Sequence, residues 1–149
     1  MVNVIDKKVT KRRAVAQANM FLGSEIISLL DDKEINTKKG PVFQTAVIAG
    51  IQAVKKTSEL IPMCHPLPLD GIAIDITFLD EENINITCTV EMEGKTGVEM
   101  EALTGAGVAA LTVYDMCKAI SQKMVIQNIM VLKKTGGKSD IMNESLSNK

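Results

Sequence analysis

The stretch GIAIDITFLDEENINITCTVEM, residues 71–92, decides the fold. Ile72, Ile74, Ile76 and Phe78 alternate with small or polar residues, and Ile84, Ile86, Cys88, Val90 and Met92 repeat the pattern. A period of two is that of a β-strand with one buried face. Between the runs, Asp80-Glu81-Glu82-Asn83 has the composition of a hairpin turn. Each strand has one apolar and one mostly polar face, which predicts an antiparallel sheet covered on one side.

Upstream, residues 13–22 also alternate and predict a strand. Residues 24–30 predict a short helix with Ser24 as N-cap, and residues 31–40 read as a charged loop. Pro41 suits a first helical position, after which Val47, Ile48, Ile51 and Val54 recur at helical spacing. Downstream, residues 102–122 predict a long helix and 125–133 a last strand. The tail, 140–149, is expected to be disordered. Leaving the short extra helix aside, the order is β-α-β-β-α-β. That predicts an α+β, ferredoxin-like fold: one domain over residues 1–149, with a four-stranded antiparallel sheet and helices packed on one face. Such a fold says almost nothing about function.

The 149 residues suffice for a real core. A net charge of −1 gives no whole-molecule attraction to nucleic acid or anionic membrane, so any anion site must be a local patch. With no Trp, one Tyr and three Phe, stacking platforms for single-stranded nucleic acid are hard to build. No apolar run approaches transmembrane length, and the polar, basic residues 3–13 are followed by no apolar stretch of a secretory signal. Cys64, Cys88 and Cys117 are odd in number and widely spaced. Reduced thiols in a cytoplasmic protein are expected, and no zinc knuckle.

Chemistry has few candidate carriers. Residues 59–69, ELIPMCHPLPL, hold three of the four prolines and the only histidine, His65. Proline fixes φ and biases the residue before it toward extended geometry, so His65 is carried on a stiff segment. A lone histidine is more often structural than catalytic, and the proline frame only brings the two readings level. Asp115 and Lys118 are three apart on the long helix and therefore neighbours. They form either a surface ion pair of small worth or, because Val113, Met116, Cys117 and Ile120 leave little of that turn facing solvent, a partly desolvated pair tuned for proton transfer. Glu99 and Glu101 would pair in an extended segment, but acidic residues at a helix N-terminus are the simpler reading. KTGGKS, residues 134–139, resembles a phosphate loop but has Leu132 where the Walker spacing needs glycine, and Gly94-Lys95-Thr96 fails likewise at Thr89. Two glycines between lysines can wrap an anion; a solvated tail is the plainer alternative.

Together these segments make a specific ordered string. Glu59–Pro68, GKTGVEMEALT (94–104), VYDMCKA (113–119) and GGKS (136–139), with Lys39-Gly40, Val42-Phe43 and IAGIQA (48–53), resemble the cyclic pyranopterin monophosphate synthase family of molybdenum-cofactor biosynthesis. The resemblance runs from the N-terminus to Ser139. It implies a lyase that converts a cyclised dihydroguanosine triphosphate, made by a partner radical enzyme, to a pterin bearing a cyclic phosphate, releasing pyrophosphate. No resident cofactor or metal is implied, although Mg²⁺ can accompany the triphosphate.

By the same resemblance, Lys39 and Lys118 are the general acid–base lysines and Asp115 the aspartate that sets the charge and orientation of Lys118. Met63, Cys64, His65, Glu99, Met100 and Glu101 contact substrate; Arg12, Lys55, Lys134 and Lys138 hold the triphosphate, for which Lys and Arg are the right types. The family is similar in forming homohexamers, trimers of dimers, with sites at the dimer interface. Departures occur at Asn3, at Gln127-Asn128 and at Asp140. A non-catalytic nucleotide-sensing module is the rival reading, and a nucleic-acid binder a distant third.

Overall fold

In the computed structural model, which describes residues 1–144, the alternating stretch folds as the hairpin its period requires. In chain order the elements are β1 (Thr10–Phe21), α1 (Ser24–Ile27), β2 (Leu30–Asp31), β3 (Glu34–Thr37), β4 (Gly40–Pro41), α2 (Val42–Lys55), α3 (Thr57–Leu60), β5 (Gly71–Phe78), β6 (Asn83–Gly94), α4 (Glu99–Cys117), β7 (Val125–Thr135) and β8 (Ile141–Met142). The β5–β6 turn is closed by Asp80, whose Oδ1 accepts the Glu82 and Asn83 N–H groups, each at 2.8 Å. An aspartate bonding its own chain two or three residues on is a turn device written into the sequence.

The architecture is α+β with antiparallel sheets. The main sheet has the order β5-β6-β1-β7-β8, and β2-β3-β4 form a second, small one. The expected four-stranded sheet thus gains a fifth strand. The diglycine at 136–137 lets the chain reverse, and the Asp140 carboxylate accepts the Gly136 N–H at 3.1 Å, so Ile141 and Met142 pair with Lys134 and Lys133. The expected disorder of 140–149 therefore fails at its start; residues 145–149 lie outside the described residues.

The core lies on the face carrying Ala14, Ala16, Ala18 and Met20 of β1 and Ile84, Ile86, Cys88 and Val90 of β6, all fully buried. Small residues let the helices come close. A Cβ on Gly105 of α4 would sit 2.5 Å from Cys88 Sγ and from a Val54 methyl of α2. Both helices therefore cover the same face, and their separation is set by residues without side chains. The opposite face carries a row of amides. Asn19 Nδ2 donates to Asn85 Oδ1 at 2.9 Å, and Asn128 Nδ2 donates to Asn19 Oδ1 at 3.1 Å. Asn128 has φ 53°, at an irregularity of the β1–β7 ladder. Asparagine tolerates that left-handed geometry better than most residues.

Other expectations need correcting. The charged loop at 31–40 is the β2-β3-β4 meander, made possible because Asp32 and Lys33 both take positive φ, 45° and 64°, as a two-residue type I′ hairpin demands. Ser24 is not an N-cap: Gly23 precedes α1, which is four residues long. Pro41 is itself the residue before α2, not its first residue. Helix α4 starts at Glu99 and ends at Cys117, so Glu99 and Glu101 are helical from the outset and are not an extended pair.

Candidate active site

At the C-terminal end of α4 one carboxylate meets two ammonium groups. Lys39 Nζ lies 2.8 Å from Asp115 Oδ2 and Lys118 Nζ 2.9 Å from Asp115 Oδ1. Lys39 also donates to the Asp115 main-chain carbonyl at 3.0 Å. Lys118 caps the helix, where a cation is favoured by the exposed carbonyls and the dipole. The hydrogen bond from Lys39, then that from Lys118, holds the Asp115 carboxyl down at about 2; Asp115 in turn raises Lys118. The desolvated pair considered above is not found. The side chains of Asp115 and Lys118 are half exposed, 53% and 50%, because the apolar residues of that turn, Val113, Met116 and Cys117, point into the core instead.

At the other end of α4 lies a cavity of about 430 Å³ with seven basic side chains, Lys7, Lys8, Arg12, Arg13, Lys95, Lys134 and Lys138, against one carboxylate, Glu99. Strand β1 supplies the two arginines, β7 supplies Lys134, and the segment after β6 supplies Lys95. Lys134 Nζ pairs with Glu99 Oε1 at 2.9 Å, both about 70% covered. The Gly136-Gly137 turn closes one side. Gly136 has φ 91°, and a Cβ there would run into the Lys11 carbonyl oxygen, so only glycine fits. Here Asp140 ties the turn that the lysines flank.

Lys7 and Glu99 also line an adjoining cavity of about 330 Å³ together with Met63, Cys64, His65, Met100 and Glu101. Glu101 is 4% exposed. Burial pushes its carboxyl up, and the nearby Glu99 charge adds to this. Burial also raises the Cys64 thiol, with Glu101 contributing. The N-terminal segment crosses this region: His65 Nε2 is 2.8 Å from the Val2 carbonyl oxygen, and Lys95 Nζ donates to the Ile5 carbonyl at 2.7 Å.

The structure thus brings together Arg12, Lys134 and Lys138 on one hand and Met63, Cys64, His65, Glu99, Met100 and Glu101 on the other. Lys55 stands exposed in the last turn of α2 and lines neither cavity. The Lys39–Asp115–Lys118 cluster is separate too: Glu101 and Asp115 are fourteen residues apart on one helix, about 21 Å at its ordinary rise. Sequence reasoning missed Lys7, Lys8, Arg13 and Lys95. Their signal was visible as the basic stretch at 3–13 and as Gly94-Lys95-Thr96, which fails as a Walker loop but still delivers a lysine. Among the described residues no group of three His, Cys, Asp or Glu is arranged to hold a metal ion, and no helix is long and apolar enough to cross a membrane.

Comparison with known proteins adds a family. The sequence profile described as the MoaC family matches residues 1–137. A protein of Brevibacillus brevis named cyclic pyranopterin monophosphate synthase is 53% identical over 139 residues, covering 93% of this chain and 86% of that protein. The molybdenum cofactor biosynthesis protein 1 of Dictyostelium discoideum is 47% identical over 93% of the chain, and a molybdenum cofactor biosynthesis bifunctional protein of Synechocystis is 50% identical over 98%. The chain spans only 25% and 43% of the length of those last two relatives.

Proposed function

The chain belongs to the MoaC family, and from that premise we propose that it is a cyclic pyranopterin monophosphate synthase acting in molybdenum-cofactor biosynthesis. Its substrate would be a cyclised dihydroguanosine triphosphate received from a radical enzyme, its products the cyclic pterin phosphate and pyrophosphate. The observation that carries this reading is the cavity whose described lining holds seven basic side chains, of which Arg13 is paired with Glu91, and one carboxylate, Glu99. A triphosphate that loses pyrophosphate needs its charge held both before and during departure, and charge-assisted bonds from several Lys and Arg do that.

Proton transfer would fall to the cluster at the far end of α4. Lys118, raised by Asp115, enters the reaction as an ammonium and is suited to donate a proton or to stabilise a developing anion. Asp115 stays ionised at neutral pH and orients both lysines. Met63, Cys64, His65, Met100 and Glu101 would wall the ring end of the substrate. No resident cofactor enters this reading; Mg²⁺ would arrive on the triphosphate.

A single site needs phosphate-holding and proton-moving groups within one substrate's length, and in one chain Glu99 of the basic cavity and Asp115 lie sixteen residues apart along α4, about 24 Å of helix. We therefore propose a homohexamer, a trimer of dimers, in which one subunit's lysine cluster completes another's cavity. Lys55 would likewise serve a neighbouring site. Light scattering gives the assembly directly. The activity test is pyrophosphate release and pterin formation from the cyclised nucleotide. Loss of both in Lys118→Ala and Lys39→Ala, with the fold intact by circular dichroism, supports the reading; wild-type turnover in both variants sinks the chemistry. Saturable binding with no turnover by wild type would favour the sensing module.

A further inference from the structure

Helix α2 begins without a cap of its own. The residue before it is Pro41, which offers no side-chain acceptor, and its first turn contains no acidic residue. The leading N–H groups of a helix need partners, and here they come from outside. Glu34 Oε1 accepts the Phe43 N–H at 2.8 Å, and Glu34 Oε2 accepts the Gln44 N–H at 3.1 Å. The same Oε1 accepts the Ile35 N–H at 2.8 Å. One carboxylate thus ties the first residue of β3 to the first turn of α2, where the helix dipole also favours negative charge.

Between those two tie points runs the hairpin that carries Lys39. Its ladder has two pairs, Asn36 with Pro41 and Thr37 with Gly40. Ile35 is buried, but Asn36, Lys38 and Lys39 are exposed, so little packing holds the tip in place. Yet the tip must present Lys39 to Asp115 on a different element, 76 residues away. Glu34 also lies near enough to Cys117 for its charge to be felt there. The carboxylate therefore stands where the hairpin, α2 and the end of α4 converge.

We propose that Glu34 is the positioning residue for Lys39, clamping the base of the β3–β4 hairpin to α2 so that its tip meets Asp115. The catalytic consequence rests on the lyase reading above; the geometric one does not. Without the clamp the helix loses its cap and the hairpin its base, and Lys39 leaves Asp115 to Lys118 alone.

The test separates a clamp from a mere helix cap. In Glu34→Ala, a second change, Pro41→Asp, gives α2 a local N-cap of a preferred type without restoring the tie to β3. For a clamp, the double variant regains thermal stability but not activity. Turnover stays reduced 10-fold or more in kcat with KM within about threefold, and Glu34→Gln, which keeps one acceptor oxygen, falls between. If Pro41→Asp restores both stability and turnover, Glu34 is only a cap and the proposal is overturned. The second readout needs no activity: carbon-detected NMR of the Asp115 carboxyl. In the Glu34→Ala, Pro41→Asp protein its titration midpoint should rise as it does in Lys39→Ala, because both remove the Lys39 bond. An unmoved midpoint overturns the proposal even if the protein proves to be no lyase. A raised midpoint in a protein with no wild-type turnover leaves the clamp standing and removes the lyase reading instead.

Discussion

Lys39 donates to both the carboxylate and the main-chain carbonyl of Asp115, at 2.8 and 3.0 Å. The double grip holds the hairpin tip to the end of α4 through two atoms of one residue. Loss of the Asp115 charge alone should therefore loosen Lys118 more than Lys39.

The first prediction concerns pH. The folded-state pKa of Asp115, about 2, lies below its ordinary 3.8. A depressed carboxylate contributes stability that is fully present above the unfolded value and is lost as pH falls through the folded one. The cluster should then stay intact down to pH about 4. Any acid limb in the pH–rate profile above pH 5 belongs to another group. Asp115→Asn should lower the kcat plateau about 10- to 100-fold and leave the midpoint of that limb where it was. A limb that vanishes in Asp115→Asn would show that the carboxylate itself titrates in the working range.

The Glu99–Lys134 pair makes opposite predictions for its two members. Glu99 is the one carboxylate among seven cations. Glu99→Gln removes that charge and frees Lys134, so pyrophosphate should bind roughly 3- to 10-fold more tightly at low salt. Lys134→Ala should weaken it by a similar factor, and both differences should shrink at high salt. Calorimetric titration with pyrophosphate reads all of this. Weaker binding in Glu99→Gln would mean that the carboxylate is needed to aim Lys134.

The hairpin at 71–92 was legible because alternation is a strong and local signal, as was the helical spacing of α2. The meander at 31–40 was not. Its strands are two to four residues long, too short for periodicity, and its turn uses Asp32-Lys33 where Asn-Gly would have announced it. Strand β8 was hidden for the same reason, in a tail whose composition reads as solvated. Asp115 and Lys118 were legible as an i,i+3 pair on the long helix, whereas Lys39 came from the resemblance alone, and its approach to them depends on Glu34, which nothing local in the sequence marks. The cavity was half legible: Lys134 and Lys138 stood out as lysines flanking a diglycine, and Arg12 came from the resemblance. Lys7, Lys8 and Lys95 converge on it only because β1, β6 and β7 are neighbours in the sheet.

Buried Glu101 should make stability fall with pH. Its folded-state pKa is raised above the ordinary 4.5, first by burial and then by Glu99, although a backbone hydrogen bond opposes this. Between the two values the folded chain keeps a proton that the unfolded chain has released, so stability declines as pH rises through that window. Glu101→Gln removes the titration. Its melting temperature should exceed wild type by about 1–3 °C at pH 7 and converge with it near pH 4. A difference that stays constant with pH would assign the effect to packing.

The N-terminal segment makes the last prediction. A carbonyl oxygen only accepts hydrogen bonds, so His65 must donate through Nε2 to Val2, which both the Nε2–H tautomer and the imidazolium can do. Lys95 provides the second tie, to Ile5, and between these ties and β1 lie Lys7 and Lys8, both lining the basic cavity. Limited trypsin digestion reads the segment directly, because cleavage after Lys7 or Lys8 requires it to lift. Cleavage should accelerate several-fold in the His65→Ala, Lys95→Ala double variant and should slow when pyrophosphate fills the cavity. Unchanged cleavage in the double variant would mean that neither bond holds the segment down.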